Sequence, residues 1–591
     1  MANEALKIAD VAFVVSSQIE RAPHWTMIRE LTMNAIEAAA RADGEKIVHW
    51  TSAPWQGTRK AVIWNTGPGM NAAELKAATD LACELNKSLG LDENFGVGAK
   101  VSSLASNRLG MRFRSCKNGR VSEVMLGFDE STGLYVRFAR RLPGGIKDTV
   151  IDVTNVAVEE GKTVDFDWTE AMLLGNSEAQ DTSARPFASE ATEKTYIATS
   201  LYRRFYRLPE DVRLVLDANY HRLSGMRAFV PIGRRFEKFA RAESVRVASR
   251  ELVVHYLHDP IVGAGHRTSS TGALGSSTTT CCLVHRDEMY TVMTGNEWSA
   301  AAPRFGIAFG SKELCVHIEL DDDVARPSQY RERLITRQGG ADILPQDFAI
   351  AVRENMPDWV REVIRNASPR RVEDFDDLRK ELQNLLDRYK VRMAGRKPDR
   401  IQGAPSSTDG GEELGGAVAA GAGSGTRSTA MPERRRFHEA PDGSTATSLY
   451  EITQRAPRIV MLELPEDVIE KGLKGRAAEF ILETGDLFVN GLYEAVERMV
   501  SDLAPEFAGQ ADEENVHRLV TNVARRTLAL RVGKATVFAL AKRASEDWDE
   551  PDMLTALSKE SLSIAADNYE ESLPLARRRI KEAIKLAQAA A

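Results

Sequence analysis

The chain has 591 residues, of which 43% are hydrophobic and 28% charged, and its formal net charge at pH 7 is −7. This composition excludes a wholly disordered chain, and the mild negative charge excludes a basic nucleic-acid footprint over the whole molecule. At about 150 residues per domain, the length predicts about four domain-sized units.

The cysteines and the length of the apolar runs indicate where in the cell the protein is located. The five cysteines are odd in number and scattered without the paired spacing of a zinc site: Cys83, Cys116, Cys281, Cys282 and Cys315. They predict reduced thiols in a cytoplasm. No stretch reaches the ~18 apolar residues of a membrane helix, and the N-terminus lacks the layout of a signal peptide. We therefore expect a cytoplasmic protein with no membrane partner.

The first informative element is a helix predicted over Thr26–Ala42. Spacings of four and three put Glu30, Asn34 and Glu37 on one face of this helix. The opposite face is apolar. A polar stripe of this kind is equally typical of an ordinary surface helix.

Two short strands are predicted next, over Lys46–Thr51 and Lys60–Trp64. The second runs into Asn65-Thr-Gly67-Pro-Gly69-Met70, in which the glycines permit a tight turn and close approach of the backbone to a ligand. A third segment follows, Asn94-Phe-Gly96-Val97-Gly98-Ala99-Lys100. The glycines of this third segment lead into a predicted helix, whose free N–H groups and dipole would favour phosphate, and Lys100 adds positive charge.

The remainder of the chain is less specific. Residues 226–345 are rich in β-type runs, including FGIAFG at Phe305–Gly310, and Gly263–Thr280 reads as a long mobile loop. Helices are predicted over Gln346–Asn366 and Val372–Met393, the latter with an apolar packing stripe at Val372, Phe375, Leu378, Leu382, Leu385 and Tyr389.

The clearest boundary is Gly403–Pro432, where 8 of 30 residues are glycine, 6 alanine and 7 serine or threonine. Such a segment cannot bury enough apolar surface to offset its ordering entropy, so it predicts a flexible linker over residues 403–435. The chain after it, residues 436–591, reads as an all-α partner or dimerisation domain.

The order and spacing of the three N-terminal segments resemble the motif order of a known family. ExxxNA on a helix, NTGPGM after a strand and then GVGAK are together similar to the GHKL ATPase superfamily. That superfamily includes type II topoisomerase ATPase subunits, MutL proteins, ninety-kilodalton heat-shock chaperones, MORC proteins and histidine kinases. Over residues 1–225 the resemblance implies a Bergerat fold, an α/β sandwich in which nucleotide lies between the helices and a mobile lid.

The resemblance also implies roles for individual residues. Glu30 matches the general base that activates the attacking water, and Asn34 matches the ligand of a Mg²⁺ ion that bridges the phosphates of ATP. Asn71–Asn94 would be the lid. The remaining positions would bind the nucleotide: Asn65, Gly67, Gly69 and Met70 at the base, and Asn94, Gly96, Val97, Gly98, Ala99 and Lys100 at the phosphates.

Asn65 departs from the family pattern, which has an aspartate that accepts from the adenine amino group. An amide oxygen can still accept that hydrogen bond, but it carries no charge, so the bond is weaker. An amide can also turn over and donate, which would admit guanine. A decayed pocket is the alternative reading, against which the retained Glu30, Asn34 and glycine pattern argue.

Within the superfamily, residues 226–402 resemble the transducer domain and helical stalk of the clamp-forming members. Those members extend a lysine or arginine from the transducer to the terminal phosphate, and Lys312 is the candidate here, with Arg333 next. The layout resembles that of bacterial or phage MORC-like ATPases, which points to DNA handling or conflict with mobile elements on fold-level analogy alone.

The leading hypothesis from sequence is a Mg²⁺-dependent ATPase that acts as a nucleotide-gated homodimeric clamp. The alternatives are a scaffold that binds nucleotide without turnover and a chaperone-like ATPase. A further hypothesis is DNA binding, prompted by the pairs Arg203-Arg204 and Arg234-Arg235 and the run Arg577-Arg578-Arg579. A protein partner of the C-terminal helices is also expected.

Overall fold

The computed structural model describes residues 11–23, 26–80, 98–141, 147–185, 196–221, 223–263, 266–270, 279–368, 375–394, 455–482, 484–510 and 512–590. The predicted linker and part of the predicted lid lie outside these residues. The chain divides into two compact units, Met1–Ser368 and Pro369–Ala591. The first unit contains two large sheets.

The first sheet is mixed and follows the strand order β11-β10-β1-β2-β9-β3-β4-β5, with β8 also paired to β4. Among the described strands of this sheet, β1 and β10 form the only parallel pair. Its strands are β1 (Ile47–Trp55), β2 (Thr58–Thr66), β3 (Gly110–Lys117), β4 (Arg120–Asp129), β5 (Leu134–Arg137), β8 (Val150–Asp152), β9 (Trp168–Gly175), β10 (Arg213–Leu216) and β11 (Arg227–Ala228). The short strands β6 (Arg140–Arg141) and β7 (Lys147–Asp148) pair separately.

Helices pack on both faces of this sheet, most of them on one face. The helices of this region are α1 (Val11–Arg21), α2 (Thr26–Ala39), α3 (Ala72–Ala78), α4 (Gly98–Leu104), α5 (Thr154–Glu159) and α6 (Tyr196–Tyr202). Apolar residues of α2, α4 and α6 form one core with inward-facing residues of the sheet, among them Trp50, Ile63, Met111 and Leu173. Alternate residues of β3 point to the opposite face, where Arg112 pairs with Glu170 on β9.

The second sheet of this unit has the order β12-β13-β18-β16-β17. Its strands are β12 (Arg241–Val247), β13 (Leu252–His258), β16 (Thr280–His285), β17 (Glu288–Thr294) and β18 (Leu314–Leu320), and the short pairs are β14 (Ile261–Val262) with β15 (His266–Arg267) and β19 (Ala325–Pro327) with β20 (Leu334–Thr336). Helices α7 (Gly295–Ala301), α8 (Ala349–Glu354) and α9 (Asp358–Ala367) belong to the same unit. The β-rich prediction for this region is confirmed.

One predicted run in this region is wrong. Phe305–Gly310 is not a strand, because a 3₁₀ turn over Ala302–Phe305 ends at Gly306 and Gly310 is also in the left-handed region, with φ of +81° and +80°. The predicted loop over Gly263–Thr280 contains β15, and its residues 264–265 and 271–278 lie outside the described part of the chain.

The second unit is mainly helical. Its helices are α10 (Asp376–Ala394), α11 (Pro465–Glu470), α12 (Glu494–Leu503), α13 (Glu513–Ala544), α14 (Glu550–Ala556), α15 (Lys559–Asp567) and α16 (Leu573–Ala590). The all-α prediction for residues 436–591 is nevertheless wrong, because β21 (Arg458–Leu462), β22 (Ala478–Ile481) and β23 (Asp486–Asn490) form a sheet in the order β21-β23-β22. Buried apolar runs of four or five residues cannot be told from helix by periodicity.

The apolar stripe of α10 has the packing role predicted for it. Leu378 and Leu382 are buried in one core with residues of α13, and Phe375, Leu385 and Tyr389 pack against that core. The structure thus groups this helix with the C-terminal unit, whereas the sequence suggested a stalk of the preceding domain. Val372 lies outside the described residues. No helix in the described part of the chain is both long and apolar enough to span a membrane.

Candidate functional site

Helix α2 presents the candidate general base, Glu30, and the candidate magnesium ligand, Asn34. Its apolar face is buried as predicted, with Ile28, Leu31 and Ala35 in the core. Asn34 is exposed, and 14% of the Glu30 side-chain surface is accessible to solvent. Because the two residues are one helical turn apart, they share the face that points away from the core.

The turn after β2 packs closely against α2 and β3. A Cβ at Gly67 would lie 2.9 Å from the carbonyl oxygen of Ala38 on α2. A Cβ at Gly69 would lie 2.0 Å from the carbonyl oxygen of Cys116 on β3, and the φ of Gly69 is +57°. The glycines therefore permit close approach of this turn to the backbone of α2 and β3, and the predicted approach to a ligand stays a prediction.

Asn65 begins a row of polar side chains across three strands. It pairs in register with Thr169 on β9, which pairs in turn with Ser115 on β3. All three belong to the helix-covered face by strand alternation. The Ser115 hydroxyl lies 2.8 Å from the Thr169 hydroxyl and accepts a 2.8 Å hydrogen bond from the backbone N–H of Met70.

The side chain of Asn65 is buried, and its Nδ2 donates to the carbonyl oxygen of Thr66 at 2.8 Å. Among the described residues, no donor contacts its Oδ1. Sequence reasoning missed Thr169 and Ser115. Their nearness to Asn65 depends on strand order and register, and no local pattern in the sequence carries that information.

The third sequence segment meets the first at Gly98. A Cβ on Gly98 would lie 2.2 Å from Glu30 Oε2, so the start of α4 lies directly against the candidate base. Ala99 is buried beside it. Asn94, Gly96 and Val97 lie outside the described residues, as does the lid beyond Asp80.

Lys100 makes contacts that the sequence did not indicate. Its side chain is buried, and Nζ donates to the carbonyl oxygen of Ala78 at 2.8 Å and to that of Asp80. These carbonyls belong to the last residue of α3 and to a residue just after it, in the described part of the predicted lid. The ammonium group thus ties α4 to that segment.

Arg29 links Glu30 to the second sheet. Its Nη1 donates to Glu30 Oε1 at 2.5 Å, and its Nε and Nη2 both bond to the carboxylate of Glu288 at the start of β17. Arg204, just after α6, bonds to the same carboxylate, with Nε 2.6 Å from Oε2. Arg29 and Glu288 are both nearly inaccessible to solvent.

The charges of this network stabilise one another. Burial disfavours the ionised form of Glu288, but the attraction of Arg204 and Arg29 outweighs it and lowers the pKa of Glu288 to about 2. Burial likewise disfavours the charged form of Arg29, but Glu30 and Glu288 outweigh it and raise the pKa of Arg29. Each group therefore keeps its charge in the interior.

The structure does not bring the predicted transducer cations to this network. Lys312 is exposed in the turn before β18, and Arg333 pairs at the surface with Asp342 at 3.0 Å. Arg331 comes closer, because its charge contributes to the lowered pKa of Glu288 and its carbonyl oxygen accepts from Arg204 at 2.7 Å. Sequence reasoning did not single out Arg331, and the contact of Lys312 or Arg333 with a terminal phosphate stays a prediction.

The arrangement of metal-binding side chains bears on the predicted Mg²⁺ ion. In the described part of the chain, no group of three or more histidines, cysteines or acidic residues could hold a metal ion. Magnesium needs no such cage, since it is commonly held by one or two protein oxygens together with substrate phosphates and water. The exposed amide of Asn34 fits that role, because it supplies one oxygen on the face shared with Glu30.

Comparison with known proteins adds no family assignment. No protein-family model matches the chain, and no curated protein matches it significantly.

Proposed function

We propose that the first unit is a Mg²⁺-dependent ATPase of the GHKL type. One observation carries the proposal: the second and third sequence segments, which are far apart along the chain, both meet α2, which holds the first segment. Gly98 abuts the carboxylate of Glu30, and Gly67 abuts the backbone of the same helix at Ala38. A mixed sheet with its main layer of helices on one face is also the architecture that a Bergerat fold requires.

The base of the nucleotide would lie against the polar row at the turn after β2. The carbonyl oxygen of the Asn65 amide would accept from the adenine amino group, with the hydroxyls of Thr169 and Ser115 alongside. Gly67, Gly69 and Met70 would form the wall of this pocket. The buried environment strengthens each such hydrogen bond relative to water.

The phosphates would lie between Glu30, Asn34 and the start of α4. When bound, Mg²⁺ would neutralise phosphate charge, and the Asn34 oxygen would be its protein ligand. Glu30 would orient the attacking water and accept its proton. Phosphoryl transfer needs positioning and charge neutralisation more than covalent chemistry. Gly98 supports this role, since it lets α4 approach Glu30 without a side chain between them.

The two sheets of the first unit supply a route for coupling nucleotide state to the rest of the molecule. Arg29 contacts both Glu30 and Glu288, which lie in the ATPase-like part and the transducer-like part respectively. We propose that the protein acts as a nucleotide-gated homodimeric clamp, in which hydrolysis resets the dimer. A role in DNA handling or in defence against mobile elements rests only on the resemblance of the domain layout to MORC-like ATPases.

The test is phosphate release from Mg²⁺-ATP by the purified full-length chain. The wild type should turn over, and Glu30→Gln should lose at least about 100-fold, because a positioned general base contributes 10²–10⁴-fold. Glu37→Gln is the matched control on the same helix and should retain activity. Equal phosphate release from wild type and Glu30→Gln would refute the assignment of Glu30.

A scaffold that binds nucleotide without turnover is the second candidate. It is favoured by the engagement of Lys100 with carbonyls at the end of α3 and of Glu30 with Arg29. Equilibrium binding of ATP together with no phosphate release from the wild type would support this candidate over the enzyme.

DNA binding has less support from the charges. Several arginines of the three clusters are engaged within the protein: Arg204 with Glu288, Arg235 with the carbonyl of Ser269, and Arg577 with Glu506. A labelled duplex that fails to shift at low salt, where phosphate contacts are strongest, would exclude this partner.

A further inference from the structure

Three polar side chains of the second sheet, outside the residues assigned to the nucleotide, form a continuous line of hydrogen bonds. Ser244 on β12 lies directly opposite His255 on β13, and Ser244 Oγ is 2.7 Å from His255 Nδ1. The other ring nitrogen, Nε2, lies 2.8 Å from Glu319 Oε2 on β18. Hydroxyl, imidazole and carboxylate thus follow one another within hydrogen-bond distance, which is the arrangement that activates a serine nucleophile.

The carboxylate determines which nitrogen of His255 carries the proton. Burial disfavours the ionised form of Glu319, but its hydrogen bonds with Arg207 and His255 outweigh burial and lower the pKa of Glu319 to about 2. An ionised carboxylate can only accept, so Nε2 is the donor in the bond to Glu319. In the neutral imidazole Nδ1 is then an acceptor, and the Ser244 hydroxyl donates to it. His255 Nδ1 is therefore placed to take the hydroxyl proton, as a general base must be.

The surroundings of His255 hold this base in place. Arg207 Nη1 and Nη2 donate to the two oxygens of Glu319 at 2.7 and 2.8 Å, which fixes the plane of the carboxylate. The ring of Phe236 packs against His255 in a T-shaped contact, with the ring centroids 5.5 Å apart. His255 is only 4% exposed, whereas Ser244 is exposed. The nucleophile is therefore open to a substrate while most of the imidazole is shielded from water.

The backbone of Ser244 points to the open edge of the sheet. Glu251 and Asp259, which flank β13, form backbone hydrogen bonds with the residues that flank β18. Alternate residues between them, His255 included, direct their backbone groups to β18 as well. Ser244 lies opposite His255, so its own N–H is directed away from β13, and no described strand pairs with that side of β12. An N–H at this place can donate to an oxyanion, a role that the N–H of a nucleophilic serine fills in other hydrolases.

We infer that Ser244, His255 and Glu319 form an acyl-transfer site that hydrolyses small carboxylic esters at the open edge of β12. The nucleophile lies on the surface of an edge strand, so the substrate is one whose reacting carbonyl can be reached without a deep pocket. Glu319 is a positioning residue, because it acts on the serine only through the imidazole. The inference goes beyond the proposed ATPase and does not depend on it.

Water is the only co-reactant in the two steps of this reaction. Ser244 Oγ attacks the ester carbonyl carbon, and its proton passes to His255 Nδ1, which gives it to the departing alcohol as the ester bond breaks. Water then attacks the carbonyl carbon of the acyl-serine and gives a proton to His255 Nδ1. The imidazole returns that proton to Oγ as the carboxylic acid leaves, and the site is restored.

The probe is a fluorophosphonate, which loses fluoride when an activated serine Oγ attacks its phosphorus. Mass spectrometry of the labelled full-length chain and of its peptides should show one adduct, on Ser244, and Ser244→Ala should lose it. His255→Gln should slow labelling at least about 100-fold, because a positioned general base contributes roughly 10²–10⁴-fold. Ser131→Ala alters an exposed serine that is hydrogen-bonded to Asp129 without an imidazole between them, and it should label as the wild type does. Hydrolysis of p-nitrophenyl acetate should follow the same order.

A measurement on the wild type keeps the test independent of whether His255→Gln folds. Nitrogen-15 NMR should show that the neutral ring of His255 carries its proton on Nε2. Glu319→Gln should change this ring signature and slow labelling together, because an amide no longer fixes the tautomer. The inference is overturned if the wild type takes no label on Ser244, if folded His255→Gln labels at the wild-type rate, or if Nδ1 carries the proton in the wild type. Slower labelling of Glu319→Gln with an unchanged ring signature would likewise overturn the role of Glu319.

Discussion

Glu288 is a buried carboxylate held between Arg29 and Arg204. Its replacement by glutamine should destabilise the first unit strongly. Breaking a buried ion pair leaves the remaining charges uncompensated, at a cost of about 3–5 kcal/mol. Asp287→Asn alters the adjacent exposed carboxylate and should change the free energy of unfolding by less than about 0.5 kcal/mol. Urea unfolding followed by tryptophan fluorescence compares the two variants, and equal midpoints would contradict the account of Glu288.

The same residue sets a pH dependence. The pKa of Glu288 is about 2 in the folded protein and 4.5 for an unperturbed glutamate. A carboxylate with a lowered pKa stabilises the fold above its unfolded pKa, and this stabilisation is lost as the pH falls through the folded value. The wild type should therefore lose stability between pH 4.5 and 2 more steeply than Glu288→Gln does. Parallel curves for the two proteins would contradict the ion-pair assignment.

Two glycines of the site should respond differently to alanine. At Gly98 the new Cβ would meet the flexible carboxylate of Glu30, which can move away, so the protein should fold normally but lose about 100-fold in ATP turnover through misplacement of the base. At Gly69 it would meet the carbonyl oxygen of Cys116 at a positive φ, so Gly69→Ala should cost at least about 2 kcal/mol of stability. Thermal unfolding and phosphate release distinguish the two outcomes. The reverse pattern, with Gly98→Ala unstable and Gly69→Ala stable, would contradict the placement of both glycines.

Residue patterns predict parts of this site and not others. Spacing along one helix correctly placed Glu30 and Asn34 on one face, because that arrangement depends only on the helical period. The contacts of Arg29 and Arg204 with Glu288 span 259 and 84 positions of sequence. Such contacts depend on how the two sheets pack together, and the periodicity of a local sequence segment carries no information about that packing.

At the scale of elements, the helix at Thr26 is predictable because its amphipathic period repeats over several turns, although it ends at Ala39. The strands around Lys46 and Lys60 also occur near their predicted positions, and both are longer than predicted. The strands β21, β22 and β23 span five, four and five residues, and their apolar runs read equally as helix. The glycines of Phe305–Gly310 turn the chain where an apolar run suggested a strand.

The packing of α10 gives a prediction at this scale. Leu382 is fully buried, and a Cβ on Gly533 of α13 would lie 2.6 Å from its Cδ1. Leu382→Ala should destabilise the C-terminal unit by about 2–5 kcal/mol through the cavity it leaves. Asn384→Ala, at an exposed position of the same helix, should stay within about 0.5 kcal/mol of the wild type. Calorimetric unfolding of the full chain measures both, and a neutral Leu382→Ala would refute the assignment of α10 to this core.

At the scale of the whole molecule, the net charge of −7 says little about ligands, because charge is organised locally. The nucleotide-gated clamp is a prediction at this scale. We expect light scattering of the full chain to show a mass that doubles with a non-hydrolysable ATP analogue and Mg²⁺. A monomer with and without the analogue would contradict gating by nucleotide. A dimer with and without the analogue would show that the subunits associate through a surface that does not respond to nucleotide.

The most direct test of the central claim is the identity of the nucleotide that the protein retains. The wild type and Glu30→Gln are each incubated with Mg²⁺ and an equal mixture of ATP and GTP, desalted, denatured and analysed by ion-exchange chromatography. We predict ADP in the wild type and unhydrolysed ATP in Glu30→Gln, with adenine favoured through Asn65. The absence of nucleotide from both proteins, or the same diphosphate in both, would contradict the assignment of the pocket or of its base.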